Sequence, residues 1–196
     1  MYQRYLAIAL AGLLAACDGQ TPSSQSTTAE TSTVSAQDLP RVAFGKPSGS
    51  GDFELKVKSV KQRSQIGAKG IGPATETGET FVVVRYSVKN IGKKPLSRVD
   101  LPSVELIDGA GQSYASDTEA SVLEAALNND IHSAGDINPN VSAQLTSVWK
   151  VDKASFDKAQ WRLKASFDTG LSAMLDKAAT WPLNDKAAPP LIFDLK

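Results

Sequence analysis

The chain of 196 residues carries 21 Lys plus Arg against 21 Asp plus Glu, so its formal net charge is zero. That balance leaves no long-range field for nucleic acid or an anionic surface, and the charges are mixed along the chain. A single cysteine and a single histidine exclude an internal disulfide framework, thiolate zinc sites and histidine-rich metal centres.

Residues 1–17 read MYQRYLAIALAGLLAAC. Arg4 and the amino terminus give a positive start, Tyr5 to Leu14 form an apolar run, and Ala15–Ala16 lead to Cys17. The run is too short for a permanent span, so the pattern predicts a secretory signal peptide over residues 1–16. Leu14-Ala15-Ala16-Cys17 resembles the bacterial lipobox. The resemblance implies a diacylglyceryl thioether on Cys17, cleavage before it and acylation of the new amino group. Membrane lipid is then the first expected partner, held by about 0.8 kcal/mol per buried CH₂. Asp18 resembles the inner-membrane retention signal of enteric lipoproteins, a rule that varies among bacterial groups. The expected location is the cell envelope, outside the cytoplasm, on either membrane.

Cleavage would leave 180 residues and a formal balance of −1, since Arg4 is the only charged side chain removed. That length suffices for one domain with a real core. Residues 17–40 are rich in Thr, Ser, Gln and Ala and poor in large apolar side chains. They cannot bury enough surface to offset ordering entropy, which predicts a disordered linker with a mean span of about 25–30 Å.

Residues 41–196 are expected to form the folded domain. Phe53, Leu55 and Val57 alternate with Glu54 and Lys56, and the phase slips at Lys58–Ser59, as a bulge or strand end would require. Residues 64–78 hold four glycines and one proline; they read either as a binding loop or as a long hairpin excursion. ETFVVVRYSVKN at 79–90 is the strongest strand, with Val82, Val84, Tyr86 and Val88 on one face. Its other face begins with Phe81 and Val83 and then turns polar. A turn through Gly92 and Pro95 follows, then a strand at 103–107 and the Asp108-Gly109-Ala110-Gly111 turn. Residues 116–129 favour a short helix over one end of the sandwich, capped at Ser116 or Ser121. Val122, Leu123, Ala126 and Leu127 recur at helical spacing, which supports the helix; an irregular crossover whose leucines plug the core edge is the alternative.

Residues 141–151 and 161–167 are the next strands, joined by a single helical turn at 152–158 that tucks Phe156 inward. Leu171 to Thr180 is mildly amphipathic, and Pro190 to Leu195 closes the chain as an apolar strand, on an edge because of its prolines. The whole predicts an all-β, immunoglobulin-like β-sandwich with one or two short helices.

DFELKVKSV, GETFVVVRYSVKNIGKKPLS, VELIDGAGQSYAS and GDINPNVSAQLTSVWKVDKASFDKAQWRLKAS, in that order, resemble the exported immunoglobulin-like domains of domain-of-unknown-function family 4352. The resemblance runs from about Asp52 to Phe167. Asn140 stands where the family more often has glycine, and Asn tolerates the left-handed backbone such a turn needs. The resemblance implies an extracytoplasmic sandwich behind a signal and a linker, and no catalytic residues.

Chemistry-bearing groups are sparse. His132, with Asp130 and Asp136 nearby, sketches a metal loop, but calcium-loop spacing is absent and a solvated histidine reads as well. Glu119 and Glu124 are carboxylate candidates for hydrolysis by position only. Gly67, Gly70 and Gly72 do not form a phosphate cradle. Trp149 and Trp161 fall in strand patterns and belong in the core. Trp181 either closes the sandwich or contacts a partner. The expected function is a non-catalytic binding or structural module of a lipid-anchored protein, without a cofactor. Its ligand would be an envelope protein or polymer. The alternatives are an envelope hydrolase with carboxylates in a loop-lined cleft, or a small-ligand or metal sensor with residues 64–78 as a lid.

Overall fold

A computed structural model of the chain describes residues 39–97, 100–130, 136–167 and 189–196. The signal peptide, Cys17, nearly all of the linker, His132, the 171–180 segment and Trp181 lie outside the described residues.

Among the described residues, nine strands form two sheets. In chain order they are β1 (Arg41–Val42), β2 (Pro47–Ser50), β3 (Phe53–Arg63), β4 (Glu79–Asn90), β5 (Ser103–Ile107), β6 (Ser113–Tyr114), β7 (Ser142–Asp152), β8 (Arg162–Ser166) and β9 (Leu191–Asp194). The single helix among the described residues, α1 (Thr118–Leu127), falls between β6 and β7. One sheet has the order β2-β3-β4-β7 and the other β1-β9-β8-β5-β6. The expected all-β, two-sheet sandwich with one helix is what forms.

Alternation decides which side chains meet between the sheets. Phe53, Leu55, Val57 and Val60 of β3, Val82, Val84, Tyr86 and Val88 of β4, and Leu145, Trp149 and Val151 of β7 pack against Leu106, Leu163, Ala165, Leu191 and Phe193 of the opposite sheet. Fully burying a side chain such as Leu55 or Val82 contributes about 1.5–3 kcal/mol. The slip at Lys58 is a bulge: the register shifts between Val57 and Ser59, which returns Val60 to the inner face and lets β3 continue to Arg63. Trp149 and Trp161 are both in the core, and each buried indole N–H finds a backbone carbonyl, of Tyr114 and Ser155 respectively.

The turn after β4 has a concrete cause. Asn90 is wholly buried; its Nδ2 donates to the carbonyls of Lys94 and Ile137, and its Oδ1 accepts from the Gly92 N–H. Its backbone closes a ring with Val141 and Asn140. Gly92 is needed because a Cβ there would lie 2.5 Å from the Asp52 carboxyl carbon. Asn140 adopts the expected left-handed backbone, φ +66°.

Three expectations need correction. β9 is not on an edge; it lies between β1 and β8, parallel to the first and antiparallel to the second. Pro189 and Pro190 precede its first paired residue, so the ladder loses no N–H. Asp152 ends β7 and residues 153–155 form a turn, in place of the expected helical turn over 152–158, because Asp152 Oδ1 accepts from both the N–H and the hydroxyl of Ser155; Phe156 is nevertheless buried. The cap of α1 is Asp117, not Ser116 or Ser121.

Candidate functional site

The helix lies against the outer face of the four-stranded sheet rather than over one end of the sandwich as expected. Ala120, Glu124 and Ala125 are its buried positions. Val122 is 55% exposed and Leu127 57% exposed, while Leu123 is only partly buried. The apolar stripe, which would ordinarily seek the core whole, is split: Leu123 packs on the sheet-side cluster while Val122, Ala126 and Leu127 form an outward ridge.

Local chemistry fixes that rotation. Asp117 accepts from the Ala120 N–H at 3.0 Å, capping the helix. The free edge of β7 is met at Val148: the Asp117 N–H donates to its carbonyl at 2.7 Å and its N–H donates to the Ser121 hydroxyl at 2.9 Å. These bonds place Ser121, and with it Ala120 and Ala125, against the sheet. The small side chains allow close approach to a patch of Phe81, Val83 and Val148, completed by Ile66. This cover explains why the β4 outer face starts apolar.

Two carboxylates complete the inward side. Glu124, 1% exposed, receives Arg63 Nη1 at 3.3 Å and Asn128 Nδ2 at 2.9 Å. At the helix end Asn129 takes φ +50°, with the Asn129 N–H donating to Ala126 O and the Asp130 N–H to Ala125 O. This Schellman closure aims Asp130 at the sheet, where its carboxylate accepts from Arg85 Nε at 3.0 Å, from Arg85 Nη2 and from the Thr146 hydroxyl. Both carboxylates are thus consumed in holding the helix down.

Residues 64–78 are a structured hairpin excursion. Gln65 pairs with Ala74 as a bridge, Ile66 is fully buried, and Gln65 Nε2 donates to the carbonyls of Ala68 and Ile71. Gly72, at φ +100°, faces the ridge: a Cβ there would sit 3.0 Å from Leu123 Cδ2 and 2.4 Å from the Ile66 carbonyl oxygen. Ile71 in the same excursion is 72% exposed. The ridge and the loop form one continuous surface through Leu123.

The remaining sequence candidates separate. Glu119 is exposed in the first helical turn while Glu124 is buried, so they do not converge. Asp136 is exposed and Asp130 is bound to Arg85. Among the described residues no group of three His, Cys, Asp or Glu is placed to hold a metal ion. Shifted ionisations belong to structure. Burial raises Tyr86, partly opposed by its 3.2 Å contact with Ser147. The Gln112 N–H chiefly lowers Asp108 in its turn, and Ser155 lowers Asp152. The ridge was missed as a surface because the spacing of its apolar residues was visible but the rotation was not. The buried Glu124 was the available signal.

Residues 42–167 match the family described as Domain of unknown function (DUF4352), and the chain belongs to that family. It is 37% identical over 117 residues to the "Uncharacterized protein YxkC" of Bacillus subtilis (strain 168), covering 59% of this chain and 65% of that protein. It is also similar to the solved structure of a conserved hypothetical protein from Bacillus anthracis, at 29% identity and a TM-score of 0.57, over 63% of this chain and 88% of that one. The yjhA protein of Bacillus subtilis shares the fold at 12% identity and a TM-score of 0.52, over 78% of this chain and 99% of that one.

Proposed function

We propose that this family member is a lipid-anchored, extracytoplasmic protein whose immunoglobulin-like sandwich serves as a non-catalytic binding module. In this reading the α1 ridge and the adjoining loop meet an envelope protein or polymer. The observation that carries it is the inverted helix: an ion-paired glutamate faces inward while Val122 and Leu127 face water. Apolar side chains held outward by buried polar bonds are a costly arrangement unless something covers them. The two-layered core and the absence of shared alignment between Glu119 and Glu124 favour a scaffold over a hydrolase. The lipobox-like Leu14–Cys17 and the polar residues 18–40 support a tether that carries the domain off the membrane.

Photocrosslinking in intact cells tests the surface. A probe at Val122 should capture a discrete product that a probe at Gln112, on the other sheet, does not, and V122E/L127E should abolish capture by a probe at Ile71. Equal labelling from both sheets would remove the ridge from the account. Mass measurement of the mature amino terminus should find a diacylglyceryl thioether at Cys17; a free thiol there removes the anchor. A hydrolytic turnover abolished by Glu124→Gln would overturn the non-catalytic reading.

A further inference from the structure

A second feature lies away from the helix, where β8, β9 and the loop before β8 meet. A shallow cleft of about 260 Å³ is lined by Lys158, Ala159, Arg162, Asp194 and Lys196. Three of the five lining residues are cationic, in a chain whose charges otherwise balance. Arg41 lies beside the cleft, because Asp194 Oδ1 is 3.1 Å from Arg41 Nη2 and 2.8 Å from Arg162 Nε. One carboxylate oxygen shared by two guanidinium groups leaves the cleft positive. The other nearby acid, Asp157, is turned back to accept from the Ala159 N–H at 2.8 Å.

The cations are held in place. Arg162 Nη1 donates to the carbonyls of Ala159 and Trp161 at 2.7 and 2.8 Å. With Nε on Asp194, these bonds fix the guanidinium plane, and among the described residues none of them uses Nη2. Lys158 Nζ donates to the Val60 carbonyl at 2.7 Å, which anchors the side chain and leaves two ammonium protons. Lys196 is exposed at the rim. Arg162 offers only Nη2 to a ligand, so an anion in the cleft must also draw on the ammonium groups of Lys158 and Lys196. A phosphate ester offers further oxygens to the two ammonium groups, and a guanidinium of fixed orientation suits it.

The geometry points to this cleft as a binding site for a phosphate ester, with Arg162, Lys158 and Lys196 as its donors. The ester is either a membrane phospholipid headgroup or a soluble phosphate compound, and the chemistry at the cleft is the same. The site stands independently of the α1 ridge.

The mature full-length protein in dodecyl maltoside is titrated calorimetrically with glycerol 3-phosphate, inorganic phosphate, acetate and short-chain dihexanoyl phosphatidylglycerol. Saturable binding of glycerol 3-phosphate at least ten-fold tighter than acetate is expected. K158Q/K196Q should weaken it at least ten-fold; because Lys158 Nζ also bonds the Val60 carbonyl, K196Q alone, at an exposed position, should weaken it with an unchanged melting temperature. Asp194→Asn should tighten it, a gain that a purely structural role for Asp194 would not produce. A ten-fold preference for the lipid over glycerol 3-phosphate identifies the headgroup, and equal affinity identifies a soluble ester. Failure to saturate with either ester, acetate binding as tightly, or full affinity in the double variant would overturn the site.

Discussion

The two faces of the four-stranded sheet are built from the same strands by opposite means. The inner face is mostly hydrocarbon from Phe53 to Val151, its polar contacts including Tyr86 with Ser147 and the Trp149 indole N–H with the Tyr114 carbonyl. The outer face has a small apolar patch around Phe81 and Val83, and beyond it the helix is secured by Arg63–Glu124 and Arg85–Asp130. Burial on the inner face is non-directional and tolerates small shifts. The outer face depends on directed bonds, which specify a single helix rotation and so decide which residues meet solvent.

Substitutions can sharpen that contrast. Trp149→Ala on the inner face should have the largest effect, a loss of about 3–5 kcal/mol in denaturant unfolding; a loss below that of an outer-face substitution would break the distinction. Asp130→Ala should cost about 1–3 kcal/mol, the partial exposure of Arg85 letting water replace part of the bond. Its amide protection loss should be confined to α1 and leave β3 and β4 protected. Asp117→Ala removes the cap and should cost about 1 kcal/mol, again as fraying of α1 in hydrogen exchange. V122E/L127E should change stability by no more than about 0.5 kcal/mol, since the ridge contributes little to the fold; a larger loss would mean that the stripe packs inward.

The inner face also predicts a response to alkali. Burial raises the Tyr86 phenol above its ordinary value, so the folded state holds that proton more tightly than the unfolded chain. The associated stability is fully present below the unfolded pKa, about 10, and is lost as pH rises through the higher folded value. Tyr86→Phe should flatten the alkaline limb of the stability profile. An unchanged limb would place its origin elsewhere.

The sequence made the inner face legible because period-two alternation reports burial directly: Leu55, Val84, Leu163 and Phe193 all fall where the pattern puts them. The phase slip at Lys58, read as a bulge or strand end, was legible for the same reason, whereas the left-handed Asn140 came from the family resemblance. The outer face was not. The helix was visible from its spacing, but its rotation depends on Arg63 and Arg85, which belong to distant strands, and on the β7 edge at Val148. Local periodicity contains none of those partners, and the apolar stripe pointed the wrong way. β9 was seen as a strand and misplaced within its sheet, because its neighbours β1 and β8 are fixed only by tertiary pairing.

That placement of β9 governs the order in which the chain can be completed. The strand lies beyond the family-matched residues 42–167, yet it is the only partner of β1 within its sheet. A fragment trimmed to the matched range would lose Arg41, leave Val42 without a ladder and uncover the β8 edge. During synthesis or export the five-stranded layer cannot close until residue 194 has emerged, so the sandwich waits on one of its last segments to seal.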